Sequence, residues 1–344
     1  MAIDKKQSFH DILQGEGNVP YLTSAWQHLI GHEYGAQEQA QAHIDFVKKW
    51  DWGYVKINPR SAYYSETWGA TFDHDDYGAG RSPRLTKTLI TKPEQVNDVA
   101  YVDPESSPVL QEEVQATALV HQALSDRVVL QTVFSPLTVL LGLAALPRVN
   151  HHPLYGNSPV LTPDELLKTD PEATKRALDA IAHTLADYVK LLVAPTEQGG
   201  AGVDGIFYAV TGTASRGYFT RDEFLEFADP YDRIVLDAAG GHIKLLHTCK
   251  EHSNPDWFAD YPIDALQWDT FLEGNPAITD EFGATPVAGP ASTLLAEGAD
   301  LQELKRQIQE TINARRDGKP FFLAPSCTVP PKPGEENFRI LREA

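Results

Sequence analysis

The strongest constraint on the fold is a regular alternation of short apolar segments with longer helical patterns along the chain. Eight apolar segments rich in Val, Ile, Phe and Tyr fall at residues 19–25, 54–58, 128–134, 203–210, 243–248, 265–269, 286–289 and 320–325. This alternation is typical of a parallel sheet whose strands are joined by crossover helices. Eight strands in 344 residues, against about 250 for the plain fold, predict an α/β (β/α)8 TIM barrel with insertions. A doubly wound open sheet is the alternative.

Two helices are predicted from apolar periodicity. The first has apolar residues three or four positions apart at Leu178, Ile181, Leu185, Val189 and Leu192. The second repeats this spacing at Leu301, Leu304, Ile308 and Ile312. Both stripes suit helices on the outside of a barrel. Asp300 and Glu303 have the spacing of a capping box, which would satisfy free amides at the start of the second helix.

The chain is expected to form a single barrel domain over residues 1–344. Residues 60–91 lack a clean period and are rich in Tyr, Gly and Asp, which predicts an insertion after the second strand; long ordered insertions are often functional. A second loop, residues 147–162, is a candidate lid and contains His151 and His152. Their roles stay open, as do those of His28, His32 and His74.

Composition limits the classes of partner. Lys plus Arg number 29 against 48 for Asp plus Glu, a net charge of -19, so a nucleic acid or an anionic membrane would be repelled. The start of the chain lacks the apolar core of a signal peptide, and no apolar run is long enough to span a bilayer. We therefore expect a cytoplasmic protein that binds small molecules or proteins, with an acidic surface compatible with a homodimer. Two cysteines are too few for a disulfide framework and are better candidates for metal binding or chemistry.

The candidate chemistry lies in those two cysteines. His247 and Cys249 close the fifth predicted strand, where residues two apart point to the same face, and Cys327 follows the eighth. In a closed barrel both strand ends lie on the catalytic rim. Thiolate and imidazole are preferred zinc donors, and three protein donors leave a position for substrate. Asp269, at the end of the sixth strand, is the candidate catalytic residue, either as a displaceable oxygen ligand or as an acceptor that orients His247. Two inert cysteines with a core histidine remain the alternative, because free cysteine is commonly buried.

These residues resemble a known family. His247-x-Cys249 after a strand, and Cys327 in Ala-Pro-Ser-Cys-Thr-Val-Pro-Pro-Lys-Pro-Gly-Glu-Glu-Asn, look like the zinc motif of methylcobamide:coenzyme M methyltransferases, of the uroporphyrinogen decarboxylase superfamily. The likeness covers most of the chain. It implies a (β/α)8 barrel, a zinc ion on His247, Cys249 and Cys327, and a methylated corrinoid on a small partner protein as methyl donor.

The same resemblance argues against the decarboxylase itself. That enzyme has an Arg-rich motif around its first strand and an aspartate after its second. Here residues 21–33 contain no arginine and residues 54–60 no aspartate. The hypothesis is therefore a zinc-dependent methyltransferase that moves a methyl group from a methylated corrinoid to a small thiol. The alternatives are a metal-free decarboxylase-type lyase acting on a tetrapyrrole, and a non-catalytic tetrapyrrole- or corrinoid-binding protein.

Overall fold

The computed structural model describes residues 3–78, 80–147, 154–215, 217–315 and 318–344. Its strands are β1 (Tyr21–Thr23), β2 (Val55–Ile57), β3 (Thr71–Asp73), β4 (Arg84–Lys87), β5 (Val129–Phe134), β6 (Gly205–Thr211), β7 (Ile243–Thr248), β8 (Ala265–Gln267), β9 (Thr285–Ala288) and β10 (Phe321–Leu323). Eight of them form one sheet in the order β1-β10-β9-β8-β7-β6-β5-β2. Every recorded pairing in this sheet is parallel. Each of the eight predicted segments overlaps one of these strands, with bounds that agree to within a few residues, so the prediction of eight barrel strands is confirmed.

Contacts between the first and last strands of this order close the sheet into a barrel. The Gly53 amide donates to the Thr23 carbonyl at 2.8 Å, and the Ser24 hydroxyl donates to the Tyr54 carbonyl at 2.8 Å. A Cβ atom on residue 53 would lie 3.1 Å from the Thr23 oxygen, so glycine permits this approach. The fold is a (β/α)8 barrel, and the open-sheet alternative is wrong.

Eleven α-helices occur in the described residues, and most lie in the crossovers between barrel strands. They are α1 (Lys5–Gln14), α2 (Ala36–Trp50), α3 (Tyr63–Thr67), α4 (Pro108–Ala123), α5 (Pro136–Leu143), α6 (Pro163–Lys168), α7 (Pro171–Val193), α8 (Arg221–Phe227), α9 (Asp229–Ala238), α10 (Leu301–Ala314) and α11 (Glu335–Arg342). The predicted stripe of α7 is buried throughout, from Leu178 to Leu192. The prediction of this helix is confirmed. None of the helices in the described parts of the chain is long and apolar enough to cross a bilayer.

The start of α10 differs in one detail from the prediction. Asp300 caps the helix, because its carboxylate accepts the amides of residues 302 and 303 at 2.8 and 3.2 Å. The Glu303 carboxylate instead accepts hydrogen bonds from Arg306 and Gln307, further along the helix. The predicted capping box is therefore half formed, because partners one turn ahead compete for the glutamate.

The predicted insertion contains α3 and the antiparallel β3–β4 hairpin. Tyr63 and Tyr64 are buried, and both hydroxyls donate to the Thr132 carbonyl on β5, at 3.2 and 2.8 Å. In the hairpin, Arg84 pairs with Asp73 and Asp76 at 2.7 and 2.8 Å. The insertion is thus anchored to the barrel beside its carboxyl-terminal rim.

Helix α1 seals the opposite end of the barrel. Phe9 is fully buried, and its ring lies 5.3 Å from Tyr54 and 4.4 Å from Phe322, measured between centroids. Ile12 belongs to the same apolar cluster, which also contains residues from the starts of the central strands. Because side chains fill this end in the described residues, the barrel interior is open to a ligand from the rim where the strands end.

Candidate metal centre

The end of β7 places His247 and Cys249 on the rim. His247 pairs with Ala209 on β6 and Gln267 on β8. The chain then leaves the strand, and the Cys249 amide donates to the Thr211 carbonyl at 3.0 Å. Both side chains are buried. Hydrogen bonds from two neighbouring strands therefore fix the backbone that carries these two residues.

Cys327 reaches the same place from the loop after β10. This loop is held by the Ser326 amide, which donates to the Pro290 carbonyl at 2.9 Å, and by the Gln267 side chain, which donates to the Pro325 carbonyl at 2.8 Å. The candidate ligand atoms of His247, Cys249 and Cys327 all lie within 4.8 Å of one another. The structure thus brings together the three residues that the sequence singled out as zinc ligands, while their role stays a prediction.

The two cysteines are electrostatically unequal. Their sulfur atoms are 3.8 Å apart. The hydrogen bond with Cys249, aided by the neighbouring His247 ring, holds the pKa of Cys327 well below its usual range. The same hydrogen bond, together with burial, raises the pKa of Cys249 well above its usual range. Ionisation of the pair is therefore favoured at Cys327 and disfavoured at Cys249.

Two observations show that this group fits a zinc ion. Thiolates about 2.3 Å from a tetrahedral zinc ion are about 3.8 Å apart, which is the separation observed between the two sulfurs. The Nδ1 atom of His247 is buried without a hydrogen-bond partner among the described residues, and an orphaned buried nitrogen is costly unless something binds it. The ring is held by Phe207, which stacks on it at 5.6 Å between centroids.

Asp269 lies near this group but is not one of its members. Its carboxylate is buried and accepts the Phe271 amide at 2.9 Å, and burial raises its pKa while a hydrogen bond with Ser326 opposes the rise. Ser326 is the residue before Cys327, so Asp269 contacts the loop that carries the second thiol. The catalytic role of Asp269 stays a prediction.

The three donors face a cavity of about 650 Å³ at the mouth of the barrel. Although the chain carries a net charge of -19, the described residues that line the cavity include four basic side chains, Lys56, Arg60, Arg81 and Lys250, and no carboxylate. Among these, the Arg60 guanidinium forms ion pairs with the carboxylates of Glu66, Glu112 and Glu113. The cavity wall is therefore more positive than the rest of the protein.

Lys56 is a residue that the sequence reasoning missed. Its ammonium lies 4.8 Å from the Phe207 ring and 5.7 Å from the Trp26 ring, measured to the centroids, and it donates to the Asn58 side chain. Burial lowers the pKa of Lys56 to about 7, an effect that Cys327 opposes and Arg81 reinforces. A lysine inside a three-residue strand that is otherwise apolar, Val55–Ile57, was the available signal.

The histidines with open roles are placed in different surroundings. His28 lines the cavity. His32 is exposed and pairs with Glu38, and His74 is exposed and stacks on Tyr34. None of these three is in the zinc-like donor group. His151 and His152 lie outside the described residues, as do residues 148–153 of the predicted lid as a whole.

Comparisons with known proteins agree with this architecture. The sequence profile of the uroporphyrinogen decarboxylase family matches residues 62–344. The chain belongs to the uroporphyrinogen decarboxylase family. No curated protein matches the sequence.

One solved structure supports the fold, and a second is less similar. A methyltransferase from Methanosarcina mazei aligns over 99% of this chain and 99% of its own, with a TM-score of 0.71 and 16% identity. A candidate vitamin-B12-independent methionine synthase from Listeria monocytogenes aligns over 89% of this chain and 85% of its own, with a TM-score of 0.48 and 15% identity. At 16% identity the likeness to the Methanosarcina mazei protein shows a shared fold alone.

Proposed function

We propose that this protein is a zinc-dependent methyltransferase that transfers a methyl group from a methylated corrinoid to a small thiol. The observation that carries the proposal is the group of His247, Cys249 and Cys327, whose donor atoms lie within 4.8 Å of one another at the cavity. The Methanosarcina mazei relative is a methyltransferase, and we extend that activity to this chain on the strength of these donors. Zinc bound there would hold an acceptor sulfur as the thiolate near neutral pH.

The residues around the donors can bind and orient such an acceptor. Two thiolates balance the charge of a divalent ion, so the acceptor would keep an electron-rich sulfur. Lys56 and Arg81 line the same cavity and would favour an acceptor that carries an anionic group. The corrinoid, a partner protein that carries it, and a homodimer are further parts of the proposal.

Metal content tests the site. Protein purified without chelators should contain about one equivalent of zinc, and Cys249→Ser, Cys327→Ser and His247→Gln should each lose most of it. His183→Gln, which changes an exposed histidine of α7, is the matched control and should keep its zinc. Less than a tenth of an equivalent in the unaltered protein would refute the proposal.

Methyl transfer tests the reaction. Methylcobalamin and a small thiol should yield a methyl thioether in the presence of the zinc-loaded protein, and Cys327→Ser should abolish this product. The lyase alternative predicts that uroporphyrinogen is consumed and that both cysteine variants stay active. We disfavour it because residues 21–33 contain no arginine and residues 54–60 no aspartate, whereas the decarboxylase has an Arg-rich motif around its first strand and an aspartate after its second.

A further inference from the structure

A second polar group faces the cavity, separate from the three metal donors. His28 follows β1, and its Nδ1 atom lies 2.7 Å from Oε1 of Glu33. Glu33 is buried, with its side chain 1% exposed. Its second oxygen accepts the hydroxyl of Tyr77, from the insertion, at 2.8 Å. Both carboxylate oxygens are therefore occupied, and the carboxylate is fixed against the imidazole.

The backbone places this pair beside the metal donors. The loop after β1 is bridged to the loop after β10 through Gln27 and Val329, and the Val329 amide donates to the Trp26 carbonyl at 2.9 Å. These two loops carry His28 and Cys327, and both side chains line the same cavity.

The arrangement selects which ring nitrogen of His28 can react. A carboxylate that accepts the proton of Nδ1 fixes the tautomer, and Nε2 is then left with a free lone pair. Nδ1 of His28 is used by Glu33, so Nε2 is the nitrogen available to a molecule in the cavity. The buried charge of Glu33 would also stabilise the imidazolium that forms when Nε2 takes a proton.

A neighbouring pair shows that this arrangement is not a general property of the segment. His32 and Glu38 have the same chemistry, with Nδ1 and Oε1 3.0 Å apart, but their side chains are 57% and 60% exposed. That pair is solvated and does not line the cavity. Burial and orientation, rather than residue type, distinguish His28 and Glu33.

We propose that His28 is a general base that takes the proton of the acceptor thiol, and that Glu33 and Tyr77 are positioning residues for it. This inference rests on the proposed function. The S–H bond of the acceptor breaks, its electron pair stays on sulfur, and the proton forms an N–H bond at Nε2. The proton then leaves through the open mouth of the cavity. Other titratable groups around the pair and Tyr77 include Arg60, His43, Lys56, Glu113, Glu66 and Tyr34.

The test compares two thiols of different acidity, because a base matters only for an acceptor that arrives protonated. The cobalt(II)-substituted protein is mixed with 2-mercaptoethanol, which is protonated at pH 7, or with pentafluorothiophenol, which is already ionised. The growth of the sulfur-to-cobalt charge-transfer band above the level that Cys249 and Cys327 produce then reports the rate at which the added thiolate binds. His28→Gln should slow binding of 2-mercaptoethanol about 100-fold and leave binding of pentafluorothiophenol within about twofold.

Two further variants keep the test decisive. Glu33→Gln should give the same thiol-dependent pattern, with a smaller loss, even where His28→Gln folds poorly. His32→Gln is the matched control and should behave like the unaltered protein with both thiols. Added imidazole should restore part of the rate of His28→Gln.

The outcomes separate this inference from the proposed function. An equal loss for both thiols would show a structural role for His28 and overturn the inference, while the methyltransferase proposal stands. Thiol-dependent loss without methyl transfer from methylcobalamin would overturn the function and leave the base in place. No change in the charge-transfer band on adding either thiol to the unaltered protein would overturn both.

Discussion

Lys56 should make the stability of the protein depend on pH in a defined direction. In the unfolded chain the ammonium loses its proton near its usual pKa of 10.5, whereas in the fold burial lowers the pKa to about 7. The unfolded state therefore binds more protons between these values, and stability rises with pH across this window and is lost as pH falls. Below pH 7 Lys56 is charged in both states, and the cost of burying its charge lowers the stability of the fold in full.

The size of the effect follows from the shift. Each unit of pKa difference corresponds to about 1.4 kcal/mol, so at pH 7 and below the buried charge costs up to about 5 kcal/mol. Lys56→Met removes this penalty and keeps the length of the side chain. It also leaves the Asn58 oxygen without its donor, which costs about 1–3 kcal/mol at every pH. The pH dependence, rather than the absolute stability, is the informative quantity.

Urea unfolding of Lys56→Met and the unaltered protein at pH 7.5 and 9.5 measures this dependence. The stability of the variant relative to the unaltered protein should fall by about 2.5 kcal/mol between the two values, as the charge penalty disappears. Lys305→Met, at an exposed position of α10, is the control and should show no such change. A difference that is the same at both pH values would refute the reasoning, because Lys56 would then titrate as it does in the unfolded chain.

Two further predictions concern the barrel framework. Asp232 is buried against the Tyr208 hydroxyl at 2.7 Å, and burial raises its pKa to about 8, so its contribution to stability is full below its usual pKa of 3.8 and is lost as pH rises to 8. Urea unfolding should show that the stability of Asp232→Asn, relative to that of the unaltered protein, rises by about 1.4 kcal/mol per pH unit between pH 5 and 7.5. A difference in stability that stays constant over this range would contradict the prediction. Phe9→Ala should lower the free energy of unfolding by about 3–5 kcal/mol, because this ring fills the closed end of the barrel. In the same assay the control Gln14→Ala, on the exposed side of α1, should change the free energy of unfolding little. If Phe9→Ala lowers the free energy of unfolding by less than about 1 kcal/mol, α1 does not seal the barrel.

Much of the fold could be predicted because its signals are local. Each barrel strand is a short apolar run, and the stripe of α7 follows from the helical repeat alone. The cap of α10 could not be predicted in full from residue spacing. The spacing of Asp300 and Glu303 allows a capping box, but the glutamate binds Arg306 and Gln307 instead.

The residues of the candidate site were likewise predicted from the sequence only in part. The sequence located His247, Cys249 and Cys327 at strand ends, since chain position and strand order are enough for that. It missed Lys56, whose lowered pKa depends on how deeply the closed barrel buries the ammonium. It also left His28 without a partner, although Glu33 is only five residues away. The conformation of the loop after β1 determines that the buried Glu33, and not an exposed carboxylate, forms the hydrogen bond with the His28 imidazole.

By itself the sequence determined the number and order of the barrel strands, the family, and the chemical types of the residues at the rim. Only the tertiary structure decided the 3.8 Å between the two sulfurs, the positive cavity in an acidic protein, and the pairing of His28 with Glu33. The physical reason is that strand and helix patterns arise from neighbours along the chain. Distances at the rim are instead set by barrel closure and by hydrogen bonds between loops that are hundreds of residues apart in sequence, such as those after β1 and β10.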